Sequence, residues 1–265
     1  MQHAYRDDLA YIHDAGFGHL AMSVVPVIVE ELKRAGSDGG TVVEFGCGSG
    51  VTSRLLHDAG YKVIGFDLSE SLILMARKRV PGAVFQLESF VTADIPSCVA
   101  VTAIGEVLNY TFDSANGTVV RAKTFERVYR ALAPGGLFVF DTAGPARAPS
   151  HNPERTFSEG RDWAVMMEVE ADTASNLLTR RITTFRKQGD LYRRDFELHQ
   201  LQLVDPLEVV ESLQRIGFSV QTLDCYGSLT LPRGLIGFVA RKPTSSAGNA
   251  QQVVPADALA RASEL

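Results

Sequence analysis

The 265-residue chain has only three cysteines, Cys47, Cys98 and Cys225, widely spaced and without a C-x-x-C pair. That pattern argues against both a disulfide scaffold and a structural zinc site, and predicts a reducing, cytoplasmic setting. No apolar run reaches the roughly 18 residues that a membrane helix needs. The first ten residues are too polar for a secretory leader, so no membrane partner is expected. Positive charge is not in excess either: 26 Lys and Arg against 31 Asp and Glu leave a net charge of −5. A protein that tracks nucleic-acid phosphates is therefore not expected. What the chain does have is a 45% hydrophobic share, enough at this length to bury a substantial core. A homodimer is left open.

Punctuation by glycine and proline divides the chain. Residues 1–40 read as a helical lid in two pieces, with Pro26 kinking the second or marking its first turn. From 41 to 145 strands and helices alternate. Strands are expected at 41–45, 61–66, 83–87, 98–104 and 137–140, and helices at 51–59, 69–80 and 118–132. Such alternation implies parallel pairing through right-handed crossovers. Between 146 and 205 the pattern turns into three strand-like runs, 163–170, 177–186 and 191–204, separated by turn chemistry. They read as an antiparallel meander inserted in the parallel sheet. Residues 206–242 supply a helix ending at Gly217 and two last strands, 218–225 and 235–240, as an edge hairpin. The small, polar stretch 243–265 is expected to be a flexible tail.

One segment carries the chemistry. Val42-Val-Glu-Phe-Gly-Cys-Gly-Ser-Gly50 places Gly46, Gly48 and Gly50 between a strand and a helix, where bare backbone can approach a ligand closely. Glu44 lies just before the glycines. Asp67 sits at the tip of the next strand, where an acid suits the two hydroxyls of a ribose. Val51 stands where a dinucleotide fingerprint requires glycine, which disfavours a nicotinamide-dependent oxidoreductase.

Glu44-Phe-Gly-Cys-Gly-Ser-Gly50, Gly65-Phe-Asp-Leu-Ser69 and Leu132-Ala-Pro-Gly-Gly136 together resemble the class I S-adenosylmethionine-dependent methyltransferases. The resemblance covers residues 41–241. It implies an α/β, Rossmann-like sheet of seven strands, parallel except for the last, with helices on both faces. It also implies that S-adenosyl-L-methionine is the cofactor. Gly46 to Gly50, Cys47 included, would cradle its methionine part with Glu44 nearby, Asp67 would take the ribose and Leu68 would pack on the adenine. Where the family usually has an acid for the adenine amino group, this chain has Glu88-Ser89-Phe90. Glu88 and Ser89 are both open as that contact, and Phe90 is available to stack or to join the core. Gly105 would offer its carbonyl to the cofactor's ammonium.

In the loop after the fourth strand the resemblance points to Glu106, Asn109 and Tyr110 facing the cleft, with Glu106 a candidate base and Asn109 and Tyr110 candidates for the acceptor. The prolines typical of base-methylating enzymes are missing there, so DNA or RNA is not the expected substrate. Tyr11 is the candidate for a lid contact with the cofactor, and His13 for a general base. In the insert, Tyr192 and Glu197 are candidates for the acceptor and His199 for proton transfer, because related enzymes often place an E-x-H-like pair over the site. Asp141 stands alone, without a second ligand at metal-binding spacing, so no metal is expected. Methyl transfer to N, O or C of a small-molecule acceptor is the first expectation. A nucleic-acid or protein methyltransferase and a non-catalytic cofactor-binding module are the alternatives.

Overall fold

The structure, a computed structural model, describes residues 4–113 and 117–244. Two helices, α1 (Asp7–Gly16) and α2 (His19–Arg34), come first. The core follows as β1 (Thr41–Phe45), α3 (Val51–Asp58), β2 (Lys62–Asp67), α4 (Glu70–Arg79), β3 (Val84–Leu87), β4 (Cys98–Ala103), α5 (Thr118–Ala131) and β5 (Leu132–Ala143). The insert is β6 (Glu154–Glu159), β7 (Trp163–Asp172), β8 (Leu177–Gln188) and β9 (Leu191–Gln202). The chain closes with α6 (Pro206–Ile216), β10 (Ser219–Leu223), the short β11 (Cys225–Tyr226) and β12 (Leu229–Thr230), and β13 (Leu235–Arg241).

The main sheet has seven strands in the order β10-β13-β5-β4-β1-β2-β3. Only β13 runs against its neighbours. Alternate residues of each strand serve two separate cores. Val43, Phe45, Val101, Phe138 and Phe140 pack with Phe125 and Val128 of α5 and Leu213 of α6. Val42, Val63, Ala100 and Val139 pack with Val24, Ile28 and Leu32 of α2 and Leu56 of α3. A sheet covered on both faces explains the near-continuous apolar strands, each large side chain contributing about 1.5–3 kcal/mol on burial.

Three expectations need correction. The bend in the N-terminal helices lies at the break between α1 and α2, about 60°, while α2 runs through Pro26. Pro26 is exposed there, and the carbonyl its missing N–H leaves free belongs to Met22, itself on the wet side. The insert forms a four-stranded sheet of its own, order β6-β7-β8-β9. Its first strand, Glu-Arg-Thr-Phe-Ser-Glu, was not expected: it is an exposed edge strand with one apolar residue and so carries no buried-face signal. β5 begins five residues earlier than expected, because its first turn past Pro134 is absorbed by an irregularity in its pairing with β4. The expected tail falls, from residue 245 on, outside the described residues. Among the described residues no single helix is long and apolar enough to cross a membrane.

Asn109, expected at the acceptor, joins the insert to the core instead. It is fully buried, its Nδ2 donates to the carbonyls of Ala143 and Gln202, and its Oδ1 accepts from the Ala143 N–H. Asn109→Ala is expected to destabilise the fold by about 2 kcal/mol in urea titrations, since a buried N–H loses its acceptor. Tyr192→Ala, at an exposed position on β9, should change stability by less than about 0.5 kcal/mol.

Candidate active site

The C-terminal ends of β1, β2, β3 and β4 open onto one crevice, where the strand order reverses between β1 and β4. With its open mouth it has about 950 Å³ of free space. Gly46, Gly48, Asp67, Leu68, Glu88, Phe90 and Gly105 line it. Gly46 has φ +62, and a Cβ there would come within 2.5 Å of the Val107 side chain. Gly48, at φ +55, borders open space; it is bare backbone facing the crevice. A smaller pocket continues from these glycines past Glu44 to the start of α3. Ser53 donates its hydroxyl to Glu44, and burial pushes that carboxyl up to about 7.

Asp67 is held by backbone N–H groups. Its Oδ1 accepts the Ser69 N–H at 2.8 Å and its Oδ2 the Gly48 N–H at 2.9 Å. Each oxygen keeps a lone pair for a ligand hydroxyl. Burial raises this carboxyl, and the N–H groups of Ser69, Gly48 and Leu68 work in the opposite direction. Cofactor fit is thus carried by two observations on the chain itself: the bare glycine face and the unsaturated carboxylate. Cys47 lies in the loop with its thiol packed among Ile73, Ala76 and Phe85. Ser89 is not on the crevice lining; its hydroxyl donates to Asp113 at 2.6 Å. Phe90 stacks on Phe45 at 5.4 Å while still lining the crevice.

Above the glycines, the N-terminal segment with α1 and the loop after β4 supply an aromatic wall of Tyr5, His13, Phe17, Tyr110 and Phe112. The Tyr5 ring meets His13 edge-on at 5.2 Å, and Tyr110 stacks on Phe112 at 4.8 Å. Burial lowers His13, leaving a neutral imidazole near neutral pH. Tyr11, expected in this wall, is elsewhere: Arg186 lies over its ring, its hydroxyl donates to Asp162, and it borders a separate surface cleft beside Trp163. The reason is helical geometry, which turns Tyr11 and His13 to different sides of α1.

Tyr5 takes the place foreseen for Tyr11. It sits at φ +51, unusual for a side-chain-bearing residue. Three elements hold it there. Its N–H donates to Glu197 at 2.7 Å, its carbonyl accepts the Ser69 hydroxyl at 2.7 Å, and its hydroxyl shares a hydrogen bond with Tyr110 at 3.0 Å. Glu197 also accepts the Arg6 N–H at 2.8 Å and lies 2.9 Å from His199 Nε2. The Glu197 and His199 pair therefore stands behind the wall, buried, fastening the N-terminal strap. It is not on the crevice lining. His199 Nδ1 is buried without a partner.

Glu106 is also off the lining. Arg180 Nη1 approaches its Oε2 at 2.7 Å, and Arg147 Nε donates to Oε1 at 3.0 Å. Burial alone would raise this carboxyl, but the two guanidinium groups outweigh it and hold it down to about 2. A carboxylate so held does not accept a proton at neutral pH. Tyr192 is exposed on β9 away from the crevice. Tyr5, Phe17, Phe112, Asp113 and Arg180 were not foreseen. Only Tyr5 had any sequence signal, an aromatic residue in a polar start.

The lining carries three carboxylates, Asp67, Glu88 and Asp113, and, among the described residues, no lysine or arginine.

A family model described as a methyltransferase domain matches residues 24–223. The trans-aconitate 2-methyltransferase of Acidovorax sp. is 31% identical over 140 residues, covering 52% of each chain. The chain thus spans about half the length of that relative. Among solved structures, an S-adenosylmethionine-dependent methyltransferase from Clostridium acetobutylicum superposes with TM-score 0.75 at 17% identity, covering 88% of this chain and 97% of that one. The CcbJ methyltransferase from Streptomyces caelestis gives TM-score 0.73 at 19% identity, covering 91% and 98%.

Glu197→Ala removes the acceptor of two backbone N–H groups. Hydrogen exchange of the Tyr5 and Arg6 amides is expected to accelerate at least about tenfold, the equivalent of about 1.4 kcal/mol. Unchanged protection of those two amides would mean that the strap is held by something else.

Proposed function

The chain belongs to the class I S-adenosylmethionine-dependent methyltransferases, and from that premise we propose that it methylates an amine nitrogen of a small-molecule acceptor. The observation that carries the reading is the composition of the crevice lining: aromatic rings, three carboxylates, one neutral imidazole and, among the described residues, no lysine or arginine.

In this reading Gly46 to Gly50 and Glu44 take the amino-acid end of the donor, Asp67 its ribose hydroxyls, and Leu68, Glu88 and Phe90 its base. Bound S-adenosylmethionine supplies an activated methyl group, which passes to a lone pair in one displacement. The protein's own part is alignment and exclusion of water, which can contribute about 7–11 kcal/mol. Tyr5, Phe17, Tyr110 and Phe112 provide the dry wall, and their faces suit a positively charged centre.

The available base decides the acceptor. Glu106 is held ionised by two arginines, and burial raises the hydroxyls of Tyr5 and Tyr110. His13 remains as the group that can hold a proton on the wall. Even for an ordinary imidazole, of pKa about 6.5, ionising a hydroxyl of pKa about 15.7 costs about 12 kcal/mol, and for the lowered His13 it costs more. Deprotonating an ammonium of pKa about 10.4 with an ordinary imidazole costs only about 5 kcal/mol, so the amine stays the easier acceptor by the same margin, and once neutral it attacks unaided. A polycarboxylate acceptor would meet Asp113 and, among the described residues, no lysine or arginine on the lining.

Asp67→Ala is expected to weaken S-adenosylhomocysteine binding in calorimetry at least tenfold, about 1.4 kcal/mol. His13→Ala should lower kcat by about 10²-fold with little change in that binding. Transfer to hydroxyl or carboxylate compounds in a mixed acceptor library, with no amine methylated, would refute the nitrogen reading.

A further inference from the structure

Asp141, on β5, is fully buried and is not itself on the crevice lining. Three donors converge on its carboxylate. The Gly105 N–H reaches both oxygens at 3.0 Å, the Glu106 N–H reaches Oδ1 at 2.5 Å, and the Tyr226 hydroxyl reaches Oδ2 at 3.2 Å. The two amides belong to successive residues with left-handed backbone, Gly105 at φ +90 and Glu106 at φ +63. For a residue with a Cβ that conformation costs about 1–2 kcal/mol. Such a turn persists only where its surroundings over-determine it.

Both functions of the turn point away from Asp141. Gly105 forms part of the crevice lining, and the Glu106 carboxylate swings out to Arg180 of β8 and to Arg147. We infer that Asp141 is a positioning residue for methyl transfer: by gripping the Gly105–Glu106 turn it fixes the crevice wall and the anchor of the insert at once. This rests on the reading of the crevice as the donor site.

An acceptor-only carboxylate is what the geometry requires. Asparagine has the same shape but would turn an NH2 group toward one of the three donors. Keeping a charge in the middle of a sheet is costly, and the charged hydrogen bonds offset that cost only while the group is ionised. Burial pushes Asp141 up to about 7 against the pull of the Glu106 and Gly105 amides; the Glu106 charge raises it further, and the Tyr226 hydroxyl lowers it. The titratable groups facing it are Glu106 from the turn and Tyr226 from β11. The turn is therefore gripped above about pH 7 and released as pH falls through that value.

The test reads S-adenosylhomocysteine affinity of the full chain by calorimetry between about pH 5.5 and 8.5, a window centred on that ionisation. Asp141→Asn is expected to bind at least tenfold more weakly at the alkaline end. Tyr226→Phe removes one donor to the ionised form, so its loss of affinity on acidification should set in at higher pH than in the unsubstituted chain. Glu44 and His13 titrate nearby and shape the same limb, but neither is hydrogen-bonded to Tyr226, so a shift in that variant reports Asp141. Full affinity in a folded Asp141→Asn protein, or an unmoved acid limb in Tyr226→Phe, overturns the inference. If Asp141→Asn does not fold, the limb of Tyr226→Phe decides alone. Loss of binding in Asp67→Ala alongside normal Asp141→Asn would sink this inference and leave the donor site standing. Normal binding in Asp67→Ala would sink the donor-site reading itself.

Discussion

Glu106 sits between Arg180 of the insert and Arg147 that follows β5, and this charge cluster ties the insert to the end of β4. The parallel sheet by itself makes only the donor half of a crevice. Its other half, the aromatic wall, comes from the N-terminal segment and the loop after β4, and the insert backs it through Glu197 and His199. Two guanidinium groups on one carboxylate leave the carboxylate ionised and geometrically fixed. Removing one member of such a group leaves a buried charge exposed to its own desolvation cost, typically about 3–5 kcal/mol. The same fact removes Glu106 from acid–base chemistry, since a carboxyl held at about 2 is a fixed anion.

The division of labour among the carboxylates follows from what each is bonded to. Asp67 accepts backbone N–H groups on both oxygens while lining the crevice, where the proposed ribose contact would fall. Asp141 has its oxygens turned to the backbone and to Tyr226. Glu197 gives its oxygens to two strap amides and to His199. Residues of one chemical type thus serve recognition, turn geometry and strap closure. Among the described residues the lining holds no lysine or arginine and one neutral imidazole, which is what the proposed amine acceptor, bringing its own nucleophilicity, would need. This accounts for a sharp cofactor motif beside diffuse catalytic residues: binding and alignment need specific backbone, while displacement needs little proton transfer.

The glycine loop, Asp67 and the strand–helix alternation were legible in the amino-acid sequence because each is a local matter. Positive φ favours glycine at a given position, an amphipathic period declares a helix, and an acid at a strand tip lies within about twenty residues of the glycine loop. Core strands covered on both faces announced themselves by unbroken apolar runs. The edge strand β6 did not, since nothing buries it. The roles of the acceptor-side residues belonged to the tertiary structure alone. Tyr5 meets Glu197 across 192 residues and Arg180 meets Glu106 across 74; no spacing rule connects positions so far apart. Tyr11 and Tyr5 look alike in sequence, and only the docking of α1 against the insert turned one to Arg186 and the other to the crevice. Local backbone demands are written residue by residue, whereas the partners of a buried charge are chosen by the folded chain.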